Sequence, residues 1–181
     1  SWAYKSGGPF GNTIYRRLRL SNKSSFLIDS MYIAVWPETD VGNFRDDVVG
    51  CDSLLNLGFA YNGSAIDTEF ESAGIPPAAV GYLLLQGPVV PSPSDTALFD
   101  FHTILDYKNL PLSSFSFNAA GDVIPDPIIG DYDGTLMWYN WMRGFIPYNN
   151  VDNPLPYRHG PGILAGRPTK FPLHGAPSDA L

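Results

Sequence analysis

The sequence predicts a mainly β fold, β-sandwich-like or jelly-roll-like, with one short helix and a Pro/Gly-rich C-terminal tail. Three observations predict it. The 18 glycines and 17 prolines among 181 residues favour turns over long helices. Several short runs rich in β-branched and aromatic residues alternate apolar with polar positions. Only one stretch carries both start and stop signals of a helix, so the crossover helices of a parallel α/β sheet are missing. No internal repeat of roughly 20–50 residues is present, which excludes a solenoid or propeller.

The elements follow in order. Residues 1–11 hold Gly and Pro and form a lead-in. Residues 12–20, NTIYRRLRL, predict a strand with Ile14, Leu18 and Leu20 on one face and Tyr15, Arg17 and Arg19 on the other. Asn22, Lys23, Ser24 and Ser25 predict a turn. Residues 26–36, FLIDSMYIAVW, predict a second strand, apolar on both faces near its end and therefore central. The two strands together predict a hairpin. Residues 37–53 form an acidic loop, and 54–61, LLNLGFAY, alternate as a strand. Residues 62–78 are a polar loop closing on Pro76-Pro77. Residues 79–90, AVGYLLLQGPVV, are a strongly apolar strand interrupted at Gly87-Pro88. Shorter strands are expected at 96–106 and 112–118, around a turn at Lys108, Asn109 and Pro111.

The helix is expected at 134–143, capped by Asp133, with Leu136, Tyr139 and Met142 on one face and Gly144 as its stop. Beyond it, Pro147, Pro154, Pro156, Pro161, Pro168, Pro172 and Pro177 interrupt any long ladder. Two parts are thus expected: a sandwich-like domain over 1–146, and a tail over 147–181 that packs on the domain or on a partner.

Charge excludes some partners. The net charge is −7 and the pI about 4.7, whereas nucleic-acid binding needs a positive field. The basic cluster of Arg16, Arg17 and Arg19 would be split across two strand faces. Nucleic acid and anionic membranes are therefore not expected partners. No stretch approaches about 18 continuous apolar residues, so no transmembrane helix is expected. Cys51 is the one cysteine; it makes no internal disulfide or multi-cysteine zinc site, and is expected as a small buried residue. His102, His159 and His174 lie far apart and outside any H-E-x-x-H pattern. No G-x-S-x-G, G-x-G-x-x-G or P-loop occurs.

The 37–53 loop is the most specific chemical feature. It offers Glu38, Asp40, Asn43, Asp46, Asp47 and Asp52, with Gly42 and Gly50 at sharp turns. Calcium takes roughly six to eight oxygen ligands of this kind. The expected ion is Ca2+, held by Asp40, Asn43, Asp46, Asp47 and Asp52, although the EF-hand spacing is absent. The same residues also suit plain turn chemistry, in which Asp side chains accept backbone N–H groups. A second acidic group, Asp122, Asp126, Asp131 and Asp133, has the same two readings. Paired acids for glycoside hydrolysis are present in Asp46, Asp47, Glu69 and Glu71, but no spacing selects two of them. Trp138, Tyr139 and Trp141, followed by Tyr148 and Tyr157, offer flat rings with polar tips. Trp138, Trp141 and Tyr148 are the candidates for binding a sugar face; alternatively these rings pin the helix and tail to the sheet.

Several segments in order resemble a domain of large secreted, cell-surface proteins of Bacteroidota-related bacteria, of the type exported by the type IX route. The segments are MYIAVWPETDVGNFRDDVVGCDSLLNLGFAYN from Met31, PPAAVGYLLLQGPVV from Pro76, LPLSSFSF from Leu110, WYNWMRG from Trp138 and PTKFPLHGAP from Pro168. The resemblance implies an extracellular or cell-surface location and a β architecture, and attaches no activity. It places the family's block of acids on Asp40, Asp46, Asp47 and Asp52, while Glu38 stands where the family has a shorter acid. Residues and resemblance together lead to a non-enzymatic extracellular structural or adhesion module, calcium-stabilised, that serves as a subunit of a surface assembly or filament. Its expected partners are other extracellular subunits, further copies of itself, or glycans. A carbohydrate-binding module and a glycan-active hydrolase are the rival readings.

Overall fold

A computed structural model of the chain describes residues 1–118, 124 and 126–175. Strand exceeds helix, 28% to 14%, and among the described residues no sheet closes into a barrel, so the class is mainly β. Among the described residues the paired strands are antiparallel, and the isolated bridge of Cys51 with His174 is parallel. The chain forms two units, Ser1–Met31 and Tyr32–Leu181.

In the first unit, β1 (Trp2–Ala3) pairs with β2 (Ile14–Tyr15). The ladder is short, and aromatic contacts fasten it: the Trp2 and Tyr15 rings stack at 5.5 Å, and Tyr4 meets Tyr15 edge-on at 5.7 Å. The turn at Asn22 forms as expected, because its side chain accepts from Ser24 N at 2.9 Å and donates to the Phe26 carbonyl at 2.7 Å. The expected hairpin of 12–20 with 26–36 does not form. Only Ile14 and Tyr15 of the first run pair, and residues 16–43 carry no strand or helix. Alternation and β-propensity prepare a segment for a ladder, but a strand exists only where a partner supplies the other half of its hydrogen bonds.

The second unit holds a three-stranded sheet in the order β3 (Asp47–Asp52), β4 (Leu57–Asn62), β5 (Ala79–Leu83). The acidic loop therefore ends at Asp46, not at residue 53. Gly50 is required where it stands, since a Cβ there would lie 2.6 Å from the Phe59 ring that packs over it. The polar loop after β4 contains a short helix, α1 (Thr68–Ser72), capped by Asp67. A long hairpin follows, β6 (Val89–Phe99) with β7 (His102–Asn109). The run expected as one strand at 96–106 is thus two strands folded at Asp100-Phe101. Both turn residues have positive φ, 50° and 67°, the backbone of the two-residue turns that match strand twist. The register slips between Pro91 and Thr96. Pro91 and Pro93 cannot donate to a ladder, and the bulge accommodates them.

Residues 112–118 are not a strand. Ser114 and Ser116 there donate to the carbonyls of Met142 and Trp141, which satisfies the open end of α2 (Tyr132–Met142). The cap of α2 is Asp131, whose carboxylate accepts from Gly134 N at 2.6 Å, and not Asp133. Gly134, Met137, Asn140 and Trp141 form its buried face, and Gly144 (φ 83°) ends it as expected.

The tail returns to the sheet. β8 (Tyr157–Arg158) pairs with β9 (Pro168–Thr169), and Phe115 N donates to the Lys170 carbonyl at 2.9 Å. Cys51 N donates to Leu173 O at 3.2 Å, and Gly175 N to Cys51 O at 3.0 Å. Residues 173–175 therefore cover the outer edge of β3.

Candidate functional site

The five residues expected to share a calcium ion are not brought together. Asp40 is exposed and borders a hollow of about 260 Å³ with Val41, Phe70 and Val80. Asn43 caps a single turn of 3-10 helix, Phe44–Asp46, accepting from Arg45 N at 3.4 Å. Asp47 opens β3 and Asp52 closes it, which separates them by about 17 Å at roughly 3.4 Å per residue. One ion cannot touch both. Asp52 serves the turn after β3 instead, its Oδ1 accepting from Leu54 N at 2.9 Å and Leu55 N at 3.1 Å. What remains of the predicted set is the neighbouring pair Asp46 and Asp47.

Around that pair the structure places residues that the sequence did not single out. Asp47 Oδ2 accepts from Val41 N at 2.8 Å. Asp67 is 2% exposed; its Oδ2 accepts from Asn43 N at 2.8 Å, and its Oδ1 accepts from Glu69 N at 2.8 Å and Phe70 N at 3.0 Å. The N–H of Phe70 and those of Asn43 and Glu69 hold its carboxyl below the ordinary carboxylate value, outweighing the effect of burial. Asp67 is thus the post to which loop and helix are tied. Asn62 is opposite Asp47 in the ladder. Four buried oxygens here accept from no donor: Asp46 Oδ1, Asp47 Oδ1, Asn62 Oδ1 and Tyr61 Oη. Among the described residues no three of His, Cys, Asp and Glu gather as a metal-holding group.

Of the second acidic group, one member has a structural role among the described residues. Asp122 lies outside the described residues. Asp131 is the helix cap, Asp133 is exposed in the first turn, and Asp126 is exposed. Glu69 and Glu71 are exposed on α1.

The aromatic candidates divide. Trp141 is 7% exposed, and its Nε1 donates to Tyr157 Oη at 3.0 Å. Tyr157 in turn donates to the Phe117 carbonyl at 3.2 Å, and burial pushes its hydroxyl up to about 12. Trp138 lies between Trp36, at 5.2 Å, and Trp141, at 5.3 Å. These rings pin helix to tail. Tyr148 alone of the three is exposed, on a turn that Asn140 holds by donating to the carbonyls of Tyr148 and Asn150.

An open hollow of about 360 Å³ lies beside this cluster, lined by Phe117, Leu155, Tyr157, Arg158 and Leu173 among others. Among the described residues its lining includes no carboxylate. Cys51 is fully buried, and burial, with the Asp52 charge added, pushes its thiol up to about 12. Such a thiol is not a nucleophile at neutral pH. His174 accepts from Ser53 N at 3.2 Å as an ordinary hydrogen-bonded histidine. No helix among the described residues is long and apolar enough to cross a membrane.

No family model, curated protein or solved structure matches the chain.

Proposed function

We propose that this chain is a non-enzymatic structural subunit that completes its fold against further copies of itself in an extracellular assembly. One observation carries the reading: residues 26–36 have the composition of a central strand yet enter no ladder. Leu27 is 92% exposed, and Phe26, Ile28, Met31, Ile33, Val35 and Trp36 are exposed with it. A contiguous apolar run of this kind on a surface marks a site of association. Strand addition suits it, because main-chain bonds fix the added segment while alternate side chains fill pockets. Among the described residues β5 is the outer strand of its sheet, with β4 as its ladder partner, and such an edge accepts an added strand. The resemblance to secreted surface proteins supports the extracellular setting.

Sedimentation of the full chain tests this. The expected result is a concentration-dependent series of species heavier than the 19.8 kDa monomer. Ile33→Asp with Val35→Asp, at two exposed positions, reduces the series to monomer while the circular dichroism of the second unit is kept. A wild-type chain that sediments as a monomer at every accessible concentration overturns the reading.

A further inference from the structure

We propose that charge selects the partner surface of the exposed apolar run: the basic segment 16–23 of one copy docks on the acidic rim of the β5 edge of a second copy. The docking rests on the assembly reading and names the two surfaces that meet. The chain divides its charge unevenly. The first unit, Ser1–Met31, carries five bases (Lys5, Arg16, Arg17, Arg19 and Lys23) and one acid, Asp29, a net of +4. The second unit holds the other six bases and seventeen acids, a net of −11. A chain of overall charge −7 thus contains a cationic segment and an anionic body.

The cationic segment is accessible. Every residue from 16 to 31 is exposed and none enters a strand or helix, so no ladder divides the arginines between two faces of a sheet. Leu18 and Leu20 are exposed among them, and Phe26, Leu27 and Ile28 follow. Basic and apolar side chains therefore lie on one continuous stretch of backbone.

The outer edge of β5 presents the complement. Ala79 and Val80 of β5 line the hollow of about 260 Å³ together with Asp40, Val41 and Phe70. Glu38 and Asp40 are exposed on the loop that borders it, and Glu69 and Glu71 are exposed on α1, one before and one after Phe70. Residues 38–80 hold eight acids and one base, Arg45. The rim is fixed in advance: the Thr39 and Tyr82 hydroxyls share a hydrogen bond at 2.9 Å, which holds the loop at β5, and Asp67 ties the same loop to α1. An incoming strand that bonds to β5 and sets an apolar side chain in the hollow brings its basic neighbours to these carboxylates. Complementary potentials then select the partner and the register. Donor and acceptor are different surfaces, so the contact is heterologous and extends copy by copy into a ring or an open filament.

The test is sedimentation of the full chain and of two charge-reversed variants. Arg16→Glu with Arg17→Glu and Arg19→Glu makes segment and rim both acidic. Glu38→Lys with Asp40→Lys, Glu69→Lys and Glu71→Lys makes both basic. Each variant alone needs a concentration on the order of tenfold above that of wild type for the same degree of assembly. Mixed in equal amounts, the two recover assembly, because each segment then meets a rim of opposite sign on the other species. For wild type, raising sodium chloride from about 0.1 to 1 M shortens the Debye length from about 10 to 3 Å and raises the concentration needed by about fivefold or more. Should a variant fail to fold, as read by circular dichroism, the salt response of wild type decides. Wild-type assembly that salt leaves unchanged overturns the docking, as does a mixture of folded variants that stays monomeric. So does an arginine variant that assembles like wild type and loses only its retention on a heparin column, the behaviour of a segment that serves an anionic polymer. These outcomes leave the assembly reading standing, whereas a wild type that is monomeric at every accessible concentration overturns both.

Discussion

Asp67 binds three backbone N–H groups from two segments that are distant in sequence, the 41–43 loop and the start of α1. Its depressed pKa gives the direction of an acid effect. A carboxyl held below its unfolded value of about 3.9 stabilises the fold above that value, and the contribution is lost as pH falls through the lower folded value. The Asp67→Asn variant is therefore expected to melt lower than wild type at neutral pH, with the gap closing as the solution is acidified below about pH 4. Melting curves from pH 7 down to 3 check it, and a constant gap across that range would show that Asp67 acts through packing alone. The position was readable in part: an acid before Thr68-Glu69 has the form of a helix N-cap. Its second bond, to Asn43, spans 24 residues and depends on how the loop closes, which no local pattern carries.

Elements with local signals were legible, and elements that depend on a partner were not. α2 was readable because its start signal, its apolar residues and its stop lie close together in the sequence; two details were misread, the cap, which is Asp131 and not the nearby Asp133, and the buried face, which is Gly134, Met137, Asn140 and Trp141 and not Leu136, Tyr139 and Met142. The correction has a measurable form. Asp131→Ala removes the bond to Gly134 N and costs about 1 kcal/mol, lowering Tm by about 2–4 °C in a chain of this length. Asp133→Ala loses only a dipole interaction of about 0.3–1 kcal/mol. Equal losses from both would contradict the assigned cap. β3 was hidden because its short apolar stretch, Val48-Val49, is flanked by the acids of the loop. The β6–β7 turn was hidden because Asp100-Phe101 lacks the glycine that usually announces it. The 26–36 run was misread for the opposite reason: its pattern is strong, and the chain provides it no ladder. Of the candidate site, Asp46 and Asp47 were visible in the loop, while the placement of Asn62 opposite Asp47 enters only through the register of β3 against β4.

At the scale of the molecule, the second unit is closed by its own end. Residues 173–175 add to β3, 170 holds 115, and Ser114 and Ser116 hold the last carbonyls of α2. Tyr157, 3% exposed, joins tail to helix through Trp141. These contacts make the described tail a part of the unit's core rather than an appendage. Since Cys51 lies directly beneath the tail, with Sγ 3.5 Å from the Pro172 carbonyl, its thiol is expected to resist alkylating reagents at neutral pH in the native protein and to react fully once the chain is unfolded. Rapid modification under native conditions would show that the tail does not lie on β3 in solution.

That placement of the single cysteine has a practical consequence. With one thiol in the chain, each molecule takes up at most one thiol label, and the mass increment counts molecules whose tail has lifted at least once. The rate of labelling at increasing denaturant then separates detachment of the C-terminal segment from loss of the whole unit. A sulfur atom with no chemical duty of its own becomes a stopwatch for the opening of the seam that covers it.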